Sequence, residues 1–184
     1  MPIWNTIVGQ DSSRTCSEDN NIVNIFDQDI ETEYQNSGSM FYDGINTGFY
    51  VTLNAGYCHL RGFRFTTASD RPERDPIEVT IEGSNASSTL LTLGKSWLPI
   101  YEGSSGLKID PGRSESGTIQ TIHTNTIFNS YRVLITKQRG IDSSVRYSEV
   151  EFYGECKSCK SYNVSFIFIL TLCVYIQMMK MDTY

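Results

Sequence analysis

The stretch RGFRFTTASDRPERDPIEVTIEGSN, residues 61–85, decides the fold, because two alternating apolar segments flank one polar loop. In the first segment Phe63 and Phe65 alternate with Arg64, and in the second every other residue from 77 to 81 is apolar. A period of two residues is typical of β-strands. The loop between them, residues 68–76, contains two prolines, three acids and two arginines, which suits a rigid, solvated connection. The stretch therefore predicts strand, loop, strand.

Length and charge limit the possible functions. The chain has 184 residues, of which 39% are hydrophobic and 12% aromatic, enough for one sandwich domain with a core but not for two comfortable ones. The net charge is -6 and the isoelectric point is near 4.9, and lysine and arginine form no local cluster. A chain without a basic field does not suit a polyphosphate backbone. We therefore predict that nucleic acid is not a partner.

The residues needed for catalysis are scarce. The two histidines, His59 and His123, lie beside no nucleophile and no second ligand in the sequence, and no recognised nucleophile, metal or phosphate motif is present. Glu73 and Asp75 could be proposed as a glycosidase pair, but such a pair needs a cleft, and nothing in the sequence marks one. We predict that the protein is not an enzyme. A glycan-processing enzyme fragment is the less favoured alternative.

Three short motifs in the opening stretch carry a family resemblance: TASD at 67–70, PERDP at 72–76 and EGSN at 82–85. They resemble the signature of discoidin-like, coagulation factor V/VIII type C modules, which are galactose-binding-like β-sandwiches related to many carbohydrate-binding modules. YSEVEFYG at 147–154 is similar to the family's closing motif. The resemblance implies an all-β, antiparallel jelly-roll sandwich over residues 11–156. It would follow an N-terminal segment, residues 1–10, and precede a hydrophobic tail, residues 157–184.

An acidic stretch before this region could hold a cation. Asp27, Asp29 and Thr32 place two carboxylates and a hydroxyl within six residues, and Ca²⁺ prefers oxygen ligands of these kinds. The stretch resembles the family's "FDGDxxTxW" loop, and the resemblance adds Glu149 as a fourth ligand of a structural Ca²⁺. Gln28 stands where the family pattern has glycine, so a positive φ at this position would be strained. A solvated acidic turn is the alternative interpretation.

The predicted activity is binding through loops at one end of the sandwich, where aromatic rings stack on sugars and arginine or asparagine reads hydroxyl groups. Ligand residues do not carry over by motif in this family, so candidates come from loop chemistry alone. They are Tyr42, Asp43, Arg71, Arg139 and Tyr147. The loops are polar apart from Phe41 and Ile45, which favours a glycan or glycoprotein over phospholipid. Adhesion to protein or phospholipid is the alternative.

The PERDP loop itself is predicted to be structural. Two prolines pin it, and Arg74 has acids on both sides in the sequence, so the loop reads as a turn that satisfies its own charges and sets how two core strands meet. Within this loop, only Arg71 is predicted as a possible ligand contact.

Five cysteines leave at least one thiol unpaired. Cys16 and Cys156 flank the globular region, and because sandwiches of the resembled type bring their chain ends together, the resemblance implies a Cys16–Cys156 disulfide. A disulfide indicates an extracellular or cell-surface protein. Residues 1–10 lack a signal peptide. Either the chain begins inside a longer precursor, which we favour, or the protein stays in the cytosol and its cysteines are free. Cys156 and Cys159 also form a CxxC, for which a redox or zinc role is less favoured. Cys58 is expected to be a small buried residue.

Two further features concern modification and the membrane. Asn85 begins an N-glycosylation sequon in a predicted turn, where a glycan would be tolerated. Residues 164–179 form an apolar stretch of 16 residues, shorter than the roughly 20 that a spanning helix needs. Three interpretations remain open: a short membrane anchor, a GPI-type signal, or a non-native extension from an imperfect gene model.

Overall fold

Two antiparallel sheets face each other and enclose the main hydrophobic core in the computed structural model. The structure describes residues 4–7, 22–37, 44–53, 56–92, 96–157 and 168–169. The strands are β1 (Trp4–Ile7), β2 (Tyr34–Ser37), β3 (Gly48–Thr52), β4 (Tyr57–Thr67), β5 (Pro76–Ser84), β6 (Leu98–Ser104), β7 (Gln120–Thr121), β8 (Ser130–Gln138), β9 (Ser144–Lys157) and β10 (Phe168–Ile169). Within these described ranges, the helical segments are the 3-10 helices Ile22–Phe26 and Pro72–Arg74 and the helix α1, Ser88–Thr92.

The strand order confirms the predicted all-β sandwich. The first sheet runs β1-β3-β8-β5-β6, and the second runs β10-β9-β4-β7 with β2 also paired to β9. All of these pairings are antiparallel. Consecutive strands β4 and β5 lie in different sheets, so the loop between them crosses from one layer to the other.

The alternation in residues 61–85 places its apolar side chains in the core. Phe63 and Phe65 of β4 and Val79 and Ile81 of β5 have no exposed surface. Aromatic rings join the two layers at their centre, where Phe49 of the first sheet lies 6.4 Å from Phe152 of the second, measured between ring centroids. Burial of these side chains is the main driving force for bringing the sheets together.

Two short edge strands come from segments that the sequence analysis placed outside the sandwich. β1 lies within residues 1–10 and pairs with β3, and β10 lies within the tail and pairs with Tyr153 and Gly154 of β9. A sheet edge offers unpaired backbone groups to any extended segment alongside it. The rest of residues 164–179 lies outside the described ranges. Among the helices that are described, none is long and apolar enough to cross a membrane, and membrane association through this segment stays a prediction.

The disulfide joins Cys58 to Cys156, so the predicted Cys16–Cys156 pairing is wrong. The N–H and C=O of Cys58 both bond to Phe128, at 2.8 and 3.0 Å, and therefore point away from β9. Cys58 and Cys156 are thus a non-hydrogen-bonded pair of the β4–β9 ladder, in which facing side chains approach most closely. Cys58 is buried as predicted, but it is bonded rather than free. Cys16 lies outside the described residues.

The loops that follow β4, β6 and β8 gather at the end of the sandwich opposite this disulfide. We call residues 44–47, 68–75, 105–115 and 139–143 the loop end. Backbone hydrogen bonds tie these segments together, including Gly140 N–H to the Glu73 carbonyl at 2.9 Å and Ser114 N–H to the Ala68 carbonyl at 3.1 Å. The loop end is therefore a packed surface rather than a set of independent loops.

Candidate functional site

A buried carboxylate organises the loop end. Asp75 is fully buried, and its two carboxylate oxygens accept hydrogen bonds of 2.8 and 2.7 Å from Arg113 and a third of 3.2 Å from Arg139. The hydrogen bond to Asp75 raises the pKa of Arg113 although partial burial opposes it. Arg113 also pairs with Asp110 at 2.7 Å. One acid from the PERDP loop thereby holds both neighbouring loops.

Arg74 finds its partner in another loop. Its guanidinium lies 3.0 Å from the carboxylate of Asp142, and its Nη1 donates to the side chain of Gln35 at 3.3 Å. Burial opposes ionisation of Asp142, but hydrogen bonds from Arg74 and Ser144 lower its pKa overall. The PERDP loop is structural as predicted, but its charges are satisfied by distant segments rather than by its own flanking acids.

A second buried acid anchors the loop from the side of β2. Glu33 is 6% exposed, pairs with Arg146, and accepts the backbone N–H of Ser69 at 2.6 Å. Arg146 also donates to Asp70 at 2.8 Å. Residues 68–75 are therefore clamped from both sides, and their backbone has a defined conformation before any ligand arrives.

The predicted ligand residues differ in how accessible they are to a ligand. Arg71 lies exposed at the loop end, with its side chain 54% accessible and its nearest acid, Glu73, 3.9 Å away. Its backbone φ is 49°, in the left-handed region that a non-glycine residue rarely adopts. Arg139 also lies at the loop end, but it is committed to Asp75 and to the carbonyl of Leu107 at 2.5 Å. Arg71 is the more accessible of the two.

Tyr147 is not available to a ligand, which corrects the prediction. It has no exposed surface, and its ring packs against Phe65 at 5.1 Å and Tyr34 at 5.3 Å between centroids. The side chain points inward because it shares the core-facing alternation of β9. Tyr42 and Asp43 lie outside the described residues, and their roles stay predictions.

Two exposed isoleucines at the loop end were not among the predicted ligand residues. Ile109 is 87% exposed and Ile141 is 90% exposed. They lie on neighbouring loops, because Arg139, two residues before Ile141, donates to the carbonyl of Leu107, two residues before Ile109. The available signal was an isolated Ile141 in one polar loop and the pair Leu107 and Ile109 in the other. Only the structure shows that Leu107 is buried whereas Ile109 and Ile141 are exposed.

The predicted calcium loop is closed by its own polar groups. The Oγ1 of Thr32 donates to Asp27 Oδ2 at 2.8 Å and the Asp27 Oδ1 accepts the N–H of Asp29 at 2.9 Å. Asp29 Oδ1 in turn accepts the N–H of Glu31 at 3.0 Å. Gln28 has a φ of 66°, so the position does take the conformation that favours glycine.

Glu149 approaches this loop from β9. It is 6% exposed, and its Oε1 is buried without a hydrogen-bond partner. Burial, together with a hydrogen bond to Asp27 and the charge of Asp27, raises the pKa of Glu149 to about 9, although the backbone N–H groups of Gln28 and Asp29 oppose the shift. Two carboxyl groups that meet in a buried place fit a cation between them.

The ligand set would consist mainly of weaker oxygen donors. Across the described ranges, no group of three or more His, Cys, Asp or Glu side chains is placed to hold a metal ion. A Ca²⁺ here would therefore draw on Asp27, Glu149, the hydroxyl of Thr32 and backbone carbonyls. This donor chemistry is of the kind that Ca²⁺ accepts.

Asn85 lies exposed in the turn after β5, but its side-chain amide already makes two hydrogen bonds to the backbone. Its Nδ2 donates to the carbonyl of Ile127 at 3.1 Å, and its Oδ1 accepts the N–H of Asn129 at 2.9 Å. Glycosylation would leave one N–H on this nitrogen, enough to keep the bond to Ile127. The site stays a prediction.

The fold is similar to solved carbohydrate-binding modules from Clostridium perfringens. CBM32-3 from a family 31 glycoside hydrolase matches with a TM-score of 0.60 at 15% identity, over 77% of this chain and 86% of that chain. The family 32 module of NanJ, in complex with galactose, matches with a TM-score of 0.54 at 10% identity, over 82% and 92%. CpGH89CBM32-5, in complex with GalNAc-β-1,3-galactose, matches with a TM-score of 0.54 at 13% identity, over 81% and 92%.

This likeness shows the fold, the discoidin-like, galactose-binding-like sandwich that the motifs in residues 61–85 predicted. No protein-family model and no curated protein matches the sequence.

Proposed function

We propose that this chain is a non-catalytic, extracellular glycan-binding module that binds carbohydrate at its loop end. The observation that carries the proposal is a preorganised loop surface, held by the buried carboxylates of Asp75 and Glu33, from which Arg71 projects into solvent. Loops that are ordered before binding avoid much of the entropic cost of recognition. Solved neighbours of the same fold bind galactose and GalNAc-β-1,3-galactose.

Arg71 is the proposed polar contact. A planar guanidinium reads two hydroxyl groups at once, and Arg71 is the accessible arginine of the loop end, whereas Arg74, Arg113 and Arg139 are committed to acids. The left-handed backbone at Arg71 projects its side chain from a strained position, which suits a binding residue supported by a rigid frame.

A glycan array followed by titration with galactose tests the proposal. The Arg71→Ala variant should bind about 10- to 150-fold more weakly, since a hydrogen bond from a charged group contributes about 1.5–3 kcal/mol. Arg61→Ala, at an exposed arginine of β4 outside the loop end, is the matched control and should bind as the wild type does. Absence of binding to any glycan, or equal affinities for wild type and Arg71→Ala, would reject the proposal.

Adhesion to phospholipid or protein is the second candidate, favoured by the exposure of Ile109 and Ile141. Apolar side chains at loop tips can enter a lipid interface or a protein groove. The loop end contains six acids and five bases, so it lacks the positive charge that attracts anionic membranes. We therefore place the glycan first. Flotation with phosphatidylserine vesicles tests the phospholipid form of the second candidate. Under that candidate the wild type floats with the vesicles and the Ile109→Ser, Ile141→Ser double variant does not. Under the glycan proposal the wild type does not float, and the double variant binds glycan as the wild type does.

We further propose that Asp27, Thr32 and Glu149, together with backbone carbonyls, hold a structural Ca²⁺, with the Asp29 side chain left to bond the N–H of Glu31. The support is the buried, unpartnered oxygen of Glu149 beside the Asp27 carboxyl, since a dication would satisfy both groups. Such an ion would fix the 3-10 helix Ile22–Phe26 and the following loop against β9, and it would take no part in chemistry. The Cys58–Cys156 bond supports the extracellular setting, because disulfides persist in oxidising compartments.

A further inference from the structure

The arginines of the loop end differ in how their charge is used. Three of them lie 2.7–3.2 Å from a carboxylate of the same surface. The guanidinium of Arg71 has Glu73 as its nearest acid, at 3.9 Å, which is beyond hydrogen-bonding distance. Among the described residues, no group therefore occupies the N–H donors of Arg71. The three committed arginines are Arg74, Arg113 and Arg139.

The acids of the loop end are also largely paired within the frame. Asp75, Asp110 and Asp142 bind arginines of the loop end, and Asp70 binds Arg146 of β9 at 2.8 Å. These pairs cancel most of the negative charge that would otherwise repel an anion. The frame is therefore close to electrically neutral by itself, and the charge of Arg71 is not needed to hold it together.

Glu73 is the acid that faces Arg71, and it is a weak partner. The two side chains are 54% and 39% exposed, so water and salt screen their attraction. Glu73 is held in place by Gly140, whose N–H bonds its carbonyl at 2.9 Å. A Cβ at Gly140 would lie only 2.6 Å from the Cβ of Glu73, so glycine permits this close approach. A ligand anion can therefore displace Glu73 from Arg71 at little cost.

An apolar side chain stands in the same loop. Ile141 follows Gly140 directly and is 90% exposed. A sugar ring presents C–H groups on its faces and polar substituents at its edge. The loop end can therefore offer an apolar contact to the ring and a cation to a charged substituent.

We propose that the glycan bound at Arg71 is an anionic sugar, whose carboxylate or sulfate takes the place of Glu73 beside the guanidinium. The inference rests on the proposed function and names the class of glycan for the same site. A guanidinium forms two parallel, charge-assisted hydrogen bonds with such a group, a geometry that a single hydroxyl cannot match. One sugar anion needs only one free guanidinium, whereas an anionic membrane requires a field from several bases.

Three sugars with the same ring test the proposal, because galactose, galacturonic acid and galactose 6-sulfate differ only at carbon 6. Calorimetric titration of the full chain at low salt should show an anionic sugar binding about fivefold more tightly than galactose, the upper range for an exposed ion pair. The difference should shrink at high salt. Preference for galacturonic acid alone identifies a carboxylate ligand, and preference for galactose 6-sulfate alone identifies a sulfate ligand.

Two variants separate the charge from the rest of the site. Arg71→Gln keeps a hydrogen-bond donor but removes the charge, so the anionic preference should disappear. Glu73→Gln removes the competing acid and should bind the preferred anionic sugar about threefold more tightly, with galactose unchanged. Glu102→Gln, at an exposed acid of β6 outside the loop end, makes the same change in net charge and should match the wild type.

Several results would overturn the inference. These are equal or tighter binding of galactose, an anionic preference that survives in Arg71→Gln, and wild-type anion affinity in Glu73→Gln. Each of them leaves glycan binding itself intact. Binding of none of the three sugars would also overturn the inference, and the proposed function fails as well only if the glycan array is empty.

Discussion

The carboxylate of Asp75 accepts two hydrogen bonds from the guanidinium of Arg113, at 2.8 and 2.7 Å, although 38 positions separate the two residues. Asp75 is fully buried and Arg113 is largely so, with 24% of its side chain exposed. This pair, with Arg139 as a third member, makes the PERDP loop the point at which three loops meet. The PERDP motif therefore positions the proposed contact Arg71 but does not itself supply a proposed ligand contact.

Asp75→Asn should lower the free energy of unfolding by about 3–5 kcal/mol, because removing one partner leaves buried arginine charge without compensation. Asp110→Asn is the matched control, since Asp110 pairs with the same arginine but is 42% exposed. Its loss should be about 0–1 kcal/mol. Urea denaturation of both variants measures the difference. Similar losses would contradict a special role for the buried acid.

The Arg74–Asp142 pair should make stability depend on pH. Hydrogen bonds lower the pKa of folded Asp142 below its ordinary value of 3.8, so near that pH the unfolded chain binds more protons. The contribution is therefore present above pH 3.8 and is lost as pH falls through the pKa of the folded state. Urea denaturation at pH 7 and pH 3 should show that Asp142→Asn is less stable than wild type at pH 7 and loses less on acidification. Parallel losses would rule out this pair as the source.

Removing calcium should lower the melting temperature. A single bound ion at a concentration 100 times its dissociation constant adds about 2.7 kcal/mol by linkage. Calorimetry with calcium and with a chelator should show this difference in the wild type and in Glu31→Gln, an exposed acid of the same loop. Asp27→Asn and Glu149→Gln should abolish the response. A wild type that melts at the same temperature in chelator would refute the site.

Breaking the disulfide should cost much of the stability. A bond that spans 98 positions stabilises by about 4.7 kcal/mol in the chain-entropy model. The Cys58→Ser, Cys156→Ser double variant should lose this amount in urea denaturation, and a reductant should not lower its stability further. Cys16→Ser should match the oxidised wild type, because Cys16 is not the partner of Cys156. A large loss in Cys16→Ser would instead implicate a second bond.

Much of the fold was readable from local patterns. The alternation of Phe63 with Phe65 and of Val79 with Ile81 determined two core strands, because a residue's direction in a strand depends only on its position. The motifs of residues 61–85 predicted the sandwich that the structural neighbours share. The family's glycine position likewise indicated a special backbone at Gln28, which has a positive φ.

The partners across the fold were decided only by tertiary structure. Cys156 bonds to Cys58 because strand register makes the two residues face each other, and Arg74 pairs with Asp142 because two loops meet at one end of the sandwich. Tyr147 is buried and Ile141 is exposed, although isoleucine is the more apolar residue. The position of each residue in the fold, rather than its hydrophobicity alone, decides its exposure. Sequence determined the local conformations, which follow from short-range sterics and periodicity. Contacts between distant residues depend on how the two sheets pack and in what register, and that arrangement selected which charges, thiols and side chains meet.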